Sequence, residues 1–277
     1  MGVTQPSVYS APFDALAARY DQTFSSSLIG QAQRAAVWRE LAKTFRPGDR
    51  ILEIGCGTGV DACFMAEREV SVIATDSSPE MIRKTADRVR AKGFQKIVRP
   101  LLLRAEDIAR LSTEEKFDAV FSNFGALNCV EDLRPFAQAL AGLLRPGAPA
   151  LLCWMSPHCA WEIGWYLAQG NLTKALRRLN RDGVNAKLAD EAFVRVHYPS
   201  VRALARAFAP EFHLKVVKGI GVAVPPSYLE PWAQRHPRML QACERADAVF
   251  ARCPGIRLLG DHVLVRLQRA NQPAESA

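Results

Sequence analysis

Residues 50–59 have the sequence RILEIGCGTG, and this stretch decides the fold of the chain. Its first five residues are mostly apolar and predict a short β-strand. Gly55, Gly57 and Gly59 then alternate with other residues, and glycine lets the backbone turn tightly and lets a ligand approach the main chain. Because a helical pattern follows over residues 60–68, the segment predicts a strand–loop–helix unit with a ligand at the glycine loop.

Two phosphate-binding templates compete for such a loop. A dinucleotide fingerprint, G-x-G-x-x-G, requires a glycine where the chain has Val60. A P-loop requires Lys and then Ser or Thr after its last glycine, where Val60 and Asp61 stand. Neither template fits, which removes the main reason to propose NAD(P) or ATP as a ligand.

Four further apolar segments alternate with helical segments after the loop. They are residues 70–75, 97–103, 117–123 and 150–155. A helical pattern over residues 13–45 precedes the first strand. Apolar strands that alternate with helices predict a parallel sheet covered on both faces. Since crossovers between parallel strands are right-handed, we expect a doubly wound α/β sheet.

The alternation of strands and helices ends after the fifth strand. Residues 157–193 are predicted to be mostly helical and to contain no strand. Two late strands, at residues 212–218 and 261–267, bring the sheet to seven strands. The helical segments at residues 156–197 and 221–259 are expected to be insertions that form a lid over the binding crevice.

These patterns divide the chain into four expected parts. They are an N-terminal helical cap (1–46), a ligand-binding core (47–155), lid insertions with the last two strands (156–267) and a flexible tail (268–277).

Positive charge is concentrated in the second half of the chain. The net charge is +8 and the pI is about 9.3, which raises nucleic acid, an anionic membrane or an acidic substrate as partners. Residues 1–155 carry 19 basic and 18 acidic side chains, whereas residues 156–277 carry 17 and 10. Arg177, Arg178 and Arg181 could form a solvated helix face or attract an anionic group.

Composition excludes several classes of protein. With 277 residues, 49% apolar and 23% charged, the chain is neither disordered, collagen-like nor a disulfide scaffold. Its seven cysteines have irregular spacing without C-x-x-C, which favours reduced thiols over a disulfide framework or a zinc site. The N-terminus lacks the pattern of a secretory signal, and no apolar run approaches the length of a membrane span. We therefore expect a cytoplasmic protein without a metal site.

The motifs resemble those of a known family. Glu53-x-Gly55-x-Gly57-x-Gly59 after the first strand, with Asp76 ending the second, is similar to the signature of class I S-adenosylmethionine-dependent methyltransferases. Further segments resemble the family's motifs in the expected order. They are residues 76–82, 105–108, 117–124 and 143–148, with Ala148 in place of the second glycine of the last motif.

The start of the chain resembles one branch of that family. Residues 13–14 and 18–21 look like the N-terminal helix of the branch that includes quinone methyltransferases, the methyltransferase type 11 branch. The resemblance covers residues 10–155 and, more weakly, the late strands. It implies a Rossmann-like fold and S-adenosyl-L-methionine as cofactor. The cofactor-binding residues that it implies are Tyr20, Glu53, Gly55, Cys56, Gly57, Gly59, Asp76, Ser77, Met81, Ala105, Glu106, Asn123 and Phe124.

The residue types agree with the chemistry of that cofactor. An ionised carboxylate at a strand end, such as Asp76, can accept hydrogen bonds from two ribose hydroxyls, each worth roughly 1.5–3 kcal/mol. The glycine loop and the following helix N-terminus suit the carboxylate of the methionine end. By resemblance, Tyr20 closes over that end and Glu53 lies near it, although Glu53 could instead tether the loop. Met81 and Glu106 are expected to contact the adenine.

His158 and His197 are the candidate catalytic bases. His158 follows the fifth strand, and His197 precedes Tyr198 in the basic half. A base is required only when the acceptor atom carries a proton with a high pKa, so its absence would not argue against methyl transfer. Asn123-Phe124-Gly125-Ala126 is not the Asn-Pro-Pro-Tyr pattern typical of adenine-N6 methylases.

The sequence thus predicts methyl transfer to a small-molecule or lipid-like acceptor by in-line displacement. One alternative is an RNA or protein methyltransferase that uses the basic half as its binding surface. Another is a protein that binds S-adenosylmethionine without catalysis.

Overall fold

A computed structural model describes residues 13–111, 115–188 and 193–271. The helices, in chain order, are α1 (Asp14–Tyr20), α2 (Leu28–Thr44), α3 (Val60–Ala66), α4 (Pro79–Ala91), α5 (Leu133–Leu143), α6 (Ala160–Ala168), α7 (Leu172–Ala175), α8 (Val201–Phe208), α9 (Glu230–Arg235) and α10 (Pro237–Phe250). The strands are β1 (Arg50–Ile54), β2 (Ser71–Asp76), β3 (Val98–Leu102), β4 (Ala119–Ser122), β5 (Pro149–Met155), β6 (Val184–Lys187), β7 (Phe193–Val196), β8 (Phe212–Ile220) and β9 (His262–Arg269).

Seven of the strands form one sheet in the order β3-β2-β1-β4-β5-β9-β8. The first five run parallel to one another, and β9 is antiparallel to both β5 and β8. The predicted α/β fold, a doubly wound and mostly parallel seven-stranded sheet, is confirmed. The order reverses between β1 and β4, the place where ligands bind at the carboxyl ends of the strands in open sheets of this type.

Helices cover both faces of the sheet. One buried cluster joins the sheet to α2, α3 and α4, and a second joins the opposite face to α5 and α8. A third cluster unites α2 with the later helices and includes Ile29, Ala32, Leu229 and Ala233. The carboxylate of Glu230 also accepts hydrogen bonds from the first two N–H groups of α2, at 2.9 and 3.0 Å. The second insertion therefore packs on the N-terminal helix as well as on the sheet.

The first insertion contains a hairpin that the sequence did not predict. β6 and β7 pair antiparallel as a separate two-stranded sheet, so the expectation that residues 157–193 contain no strand is wrong. Gly183 adopts a φ of +83° just before β6, which ends the preceding helical turns. β6 is four residues long and alternates half-buried and exposed positions, a pattern too short to distinguish from a helix by periodicity.

The last strand is longer than predicted. β9 continues to Arg269, because Gln268 pairs with Pro149 of β5 and Arg269 pairs with Phe212 of β8. The first two residues of the expected flexible tail are therefore strand. The rest of that tail from residue 272, and residues 1–12 of the expected cap, lie outside the described residues.

Candidate functional site

The glycine loop joins β1 to α3 at the carboxyl edge of the sheet. Gly55, Gly57 and Gly59 all have positive φ angles, of +71°, +56° and +75°. A Cβ on Gly55 would lie 2.2 Å from the Cβ of Ala126, and one on Gly59 would lie 2.8 Å from Thr85 Cγ2, whereas one on Gly57 would meet nothing closer than Tyr20 at 3.8 Å. The outer glycines therefore allow close packing, and the middle glycine faces a space beneath Tyr20.

Cys56 and Asp76 attach this loop to the end of β2. The Cys56 N–H donates to the Thr75 carbonyl at 2.9 Å, and burial raises the pKa of its thiol well above the usual range. Asp76 Oδ2 accepts from the Gly57 N–H and Oδ1 accepts from the Ser78 N–H, both at 2.9 Å. Each carboxylate oxygen has a second lone pair, so Asp76 can hold the loop and still accept two ligand hydroxyls.

Asp76 is almost buried, which affects its protonation. Burial raises its pKa to about 6, against the opposing effect of hydrogen bonds from backbone N–H groups. Ser77 beside it is exposed, and Ser78 caps α4 by accepting from the Met81 N–H at 3.1 Å. Met81 is buried, and Pro79 occupies the first turn of the helix.

The segment after β3 lies next to Asp76. The Leu103 N–H donates to the Asp76 carbonyl at 3.0 Å, and residues Ala105–Arg110 form a 3₁₀ helix anchored by the buried Ile108. Ala105 is half-buried, and Glu106 is exposed and pairs with Arg104 at 3.6 Å. The structure thus brings the predicted ribose and adenine residues to adjacent strand ends.

A buried cluster of charges that the sequence did not predict lies on the opposite side of the loop. Arg34 of α2 and Asp61 of α3 form an ion pair at 2.6 Å, with exposed side-chain fractions of 7% and 6%. Trp38 Nε1 donates to Asp61 at 2.6 Å, and Asn123 Nδ2 donates to it at 3.0 Å. Positions 34 and 38 share one face of α2, but nothing in the sequence identifies Asp61 as their partner.

Glu53 adjoins this cluster and has an incomplete set of partners. Its side chain is 1% exposed, and Oε2 has no hydrogen-bond partner. Burial, and then the nearby Asp61, raise the pKa of Glu53 well above its usual range. Since an unpaired buried carboxyl is costly, this group suits the ammonium of the methionine end of S-adenosylmethionine. The carboxyl group of Glu53, the space at Gly57 and the remaining lone pairs of Asp76 together fit the groups of that cofactor.

The N-terminal segment covers the glycine loop. Asp21 follows α1 in a π-helical turn, and it accepts from Thr58 Oγ1 and pairs with Arg88, both at 2.6 Å. Asp14 accepts a short hydrogen bond from the Ser78 hydroxyl. Burial raises the pKa of Tyr20 to about 12, so its hydroxyl stays protonated over the space at Gly57.

Phe124 begins an aromatic cluster at the end of β4. Its φ is +44°, and its N–H donates to the side chain of Asn123 at 3.0 Å. Its ring meets the edge of Phe24 at 4.7 Å and of His262 at 5.3 Å between centroids, and Arg34 lies 5.0 Å from it. Strained backbone of this kind is concentrated at functional sites. The cluster therefore adjoins the predicted cofactor residues and contains His262, which is not one of the candidate bases expected from the sequence.

The two candidate bases occupy different surroundings. His158 follows β5 and is exposed, and its backbone N–H donates to Ser156 Oγ at 3.2 Å. His197 is half-buried, and its backbone N–H donates to the carbonyl of Asn128, in the turn after β4, at 2.7 Å. A catalytic role for either residue stays a prediction.

Of Arg177, Arg178 and Arg181, the first two form ion pairs with acidic side chains of the same chain. Arg178 is 5% exposed, and its Nη2 contacts Glu162 at 2.7 Å and Asp261 at 2.8 Å. Arg177 pairs with Glu162 at 2.7 Å. Although burial alone would raise the pKa of Glu162, its arginine partners lower it. Arg178 is therefore not part of a solvated face, and Arg181 is the exposed member of the three.

Comparisons with known proteins agree with this geometry. A family model described as a methyltransferase domain matches residues 51–147. A demethylmenaquinone methyltransferase of a Mycobacterium strain (KMS) is 32% identical over 180 residues, which cover 64% of this chain and 71% of the relative. A tRNA 5-carboxymethoxyuridine methyltransferase of Escherichia coli K12 is 29% identical over 150 residues, 53% of this chain. The chain spans 57% of the length of that tRNA enzyme.

Solved structures show the same fold. A putative S-adenosylmethionine-dependent methyltransferase from Listeria monocytogenes superposes with a TM-score of 0.60 at 17% identity, covering 84% of this chain and 96% of that one. A putative methyltransferase solved in complex with the Haloferax volcanii activator Trm112 gives 0.58 at 17% identity, covering 95% and 98%.

Proposed function

The chain belongs to the class I S-adenosylmethionine-dependent methyltransferases, and we propose that it transfers the methyl group of this cofactor to a small-molecule or lipid-like acceptor. One observation carries the proposal. Arg34 joins the two parts of the site, because its guanidinium pairs with Asp61 and lies against the ring of Phe124. Groups suited to the polar ends of the cofactor thus adjoin an aromatic cluster suited to an apolar acceptor.

The residues of the site would act mainly by orientation. S-adenosylmethionine supplies a methyl group already activated by a sulfonium. Asp76 would accept hydrogen bonds from the ribose hydroxyls, and Glu53 would pair with the ammonium group. Tyr20 and the segment around it would exclude water from the reacting atoms. Holding two reactants in line can lower the barrier by roughly 7–11 kcal/mol, so no metal is required by this chemistry.

Three features support a small or lipid-like acceptor. Phe24, Phe124 and His262 form an aromatic cluster beside the predicted cofactor residues, and such surroundings would suit an apolar acceptor. Arg177 and Arg178 are neutralised by acids, so they do not direct the positive charge of the second half toward an anionic acceptor. The relative with the longer match is named for a quinone, demethylmenaquinone.

Transfer to RNA is the second candidate. One relative is named for a tRNA nucleoside, and the second half keeps exposed arginines that could contact phosphates. These arginines include Arg181, Arg202, Arg206, Arg235, Arg238 and Arg252. A protein acceptor and binding of the cofactor without catalysis are the remaining alternatives.

A direct labelling experiment separates these functions. The protein is incubated with S-adenosylmethionine that carries a deuterated methyl group, in parallel with chemically reduced demethylmenaquinone, bulk tRNA and a cell extract. Mass spectrometry then identifies the labelled product, with Asp76→Ala as the negative control. Label in the quinone or in a small molecule of the extract supports the proposal. Label in tRNA supports the second candidate, and cofactor binding without label in any sample contradicts catalysis.

The cellular setting and the division of the chain are also proposals. Within the described ranges, no helix is long and apolar enough to cross a membrane, and all seven cysteines are free thiols. Both observations agree with a cytoplasmic enzyme. We also propose that the segment before β1 serves as a cap, and that α6 to β7 and α9 to α10 enclose the acceptor.

A further inference from the structure

We propose that His262 is a catalytic base that accepts the proton of the methyl acceptor, and that Asp261 positions its ring. The inference rests on the proposed function, since it concerns the same site. His158 and His197, the bases expected from the sequence, play no part in it.

The topology brings His262 to the crevice. β9 runs antiparallel to β5, so the first residue of β9 lies at the edge where the parallel strands end. His262 is therefore paired with Met155, the last residue of β5, and with Ile220, the last residue of β8. His213 lies at the opposite edge, where it is paired with Gln268 and is exposed. The chain thus provides a histidine at each end of the same strand pair.

His262 contacts one of the predicted cofactor residues. Its ring lies 5.3 Å from that of Phe124, the last of the predicted cofactor residues, in an edge-on arrangement. Its residual exposure is 5%, so the ring is enclosed by protein. Nδ1 is buried without a hydrogen-bond partner. Because buried polar atoms are nearly always hydrogen-bonded, a buried imidazole whose Nδ1 makes no hydrogen bond and has a carboxylate 3.4 Å away is a candidate for a role in the reaction.

Asp261 is fixed next to this ring as an anion. Its Oδ2 lies 3.4 Å from His262 Nδ1, and its Oδ1 accepts from Arg178 Nη2 at 2.8 Å. Gln33 Nε2 of α2 lies 3.5 Å from Oδ2. Although burial would raise the pKa of Asp261, His262 and Arg178 lower it. A carboxylate held from two sides can orient an imidazole and stabilise its protonated form.

Burial, more than the charges around His262, keeps its imidazole neutral before the reaction by lowering its pKa. Burial lowers its pKa, Asp261 opposes this effect, and Arg178 adds to it. Arg34, from α2, lies across the Phe124 ring and is paired with Asp61. A neutral imidazole near pH 7 can accept a proton, as a base requires.

The proposed step conserves atoms and charge. The acceptor forms a bond to the methyl carbon with a lone pair of its reacting atom or, where that atom is a ring carbon, with the electron pair of the ring double bond, and the bond between sulfur and the methyl carbon breaks. The proton of the acceptor atom moves to His262, so the positive charge of the sulfonium becomes the charge of an imidazolium paired with Asp261. The imidazolium then loses this proton to solvent, and a neutral thioether remains.

The test compares two histidine variants with wild type. His262→Gln and His262→Ala are assayed for single-turnover transfer to reduced demethylmenaquinone and for cofactor affinity by calorimetry, with His213→Ala as the matched control. We expect both His262 variants to lose about a hundredfold or more in transfer rate, cofactor affinity to change less than about threefold, and His213→Ala to match wild type. Added imidazole should partly restore His262→Ala.

The pH profile excludes a purely structural role. In wild type at saturating cofactor, transfer should fall as the pH decreases and the imidazole becomes protonated, at a pH below the usual range of histidine because burial lowers the pKa of His262, and this decrease should be absent from His262→Gln. Transfer by His262→Gln within about threefold of wild type, or an unchanged pH profile, overturns the assignment and leaves the proposed function intact. A wild-type protein that labels no small molecule, neither the quinone nor any component of the extract, overturns the proposed function and this inference with it.

Discussion

The two halves of the site are built in different ways. On the cofactor side, Gly57, Asp76 and Ser78 lie within a short stretch of chain and are joined through backbone N–H groups. On the proposed acceptor side, Arg178 is held by Asp261, 83 residues further along the chain. The first half of the chain, residues 1–155, is nearly neutral, whereas residues 156–277 carry the excess of positive charge.

The cofactor side is formed by residues close together in the chain, whereas the proposed acceptor side is formed by residues far apart in the chain. A strand end followed by a glycine loop forms the cofactor side wherever that pattern occurs. The acceptor side depends on ion pairs between an insertion and the start of β9, which no local pattern specifies. We therefore expect substitutions on the cofactor side to affect ligand affinity, and substitutions on the acceptor side to affect the stability of the insertions.

Asp76→Ala tests the cofactor side and has the largest expected effect. It removes an acceptor of two charge-assisted hydrogen bonds, each worth roughly 1.5–3 kcal/mol. The dissociation constant for S-adenosylmethionine, measured by calorimetry, should rise by about a hundredfold or more. Asp87→Ala on the exposed face of α4 is the matched control and should bind as wild type does. Unchanged affinity in Asp76→Ala would refute the assignment of this residue.

Arg178→Ala tests the acceptor side. It leaves the buried carboxylates of Glu162 and Asp261 without their shared partner, and loss of one member of a buried ion pair costs about 3–5 kcal/mol. Thermal unfolding should show a large decrease in the midpoint temperature. Arg181→Ala, three residues away and exposed, should leave the midpoint unchanged. Equal midpoints for the two variants would mean that the buried ion pairs do not hold the insertion.

Gly59→Ala tests how tightly the glycine loop is packed. The positive φ costs a non-glycine residue about 1–2 kcal/mol, and the new Cβ would lie 3.1 Å from the backbone Cα of Thr85. Overpacking adds about 1–3 kcal/mol. Gly48→Ala is the control, because Gly48 has a φ of +87° and no atom within 4 Å of a Cβ. Urea unfolding should show a larger loss of stability for Gly59→Ala, and equal losses would contradict the role of packing.

The same contrast explains what could be predicted from the sequence. The sheet and the roles proposed for Gly57 and Asp76 follow from apolar periodicity and from residue types at strand ends. The hairpin of β6 and β7 was missed because four-residue strands carry little periodicity. The pair of Arg34 and Asp61 was missed because its members lie on different helices, and only the packing of α2 against α3 joins them.

The acid dependence of cofactor binding tests whether the carboxyl group of Asp76 controls affinity. In the proposed site, the ionised carboxylate of Asp76 would accept hydrogen bonds from both ribose hydroxyls, whereas the protonated form would lose part of that capacity. Because burial raises the pKa of Asp76 to about 6, affinity should be complete above pH 7 and fall by about tenfold per unit below pH 6. Asp76→Asn cannot titrate, so its weaker affinity should change less over the same range. If calorimetry gives wild type and Asp76→Asn parallel profiles, another group titrates on binding, and the buried carboxyl of Glu53 is the next candidate.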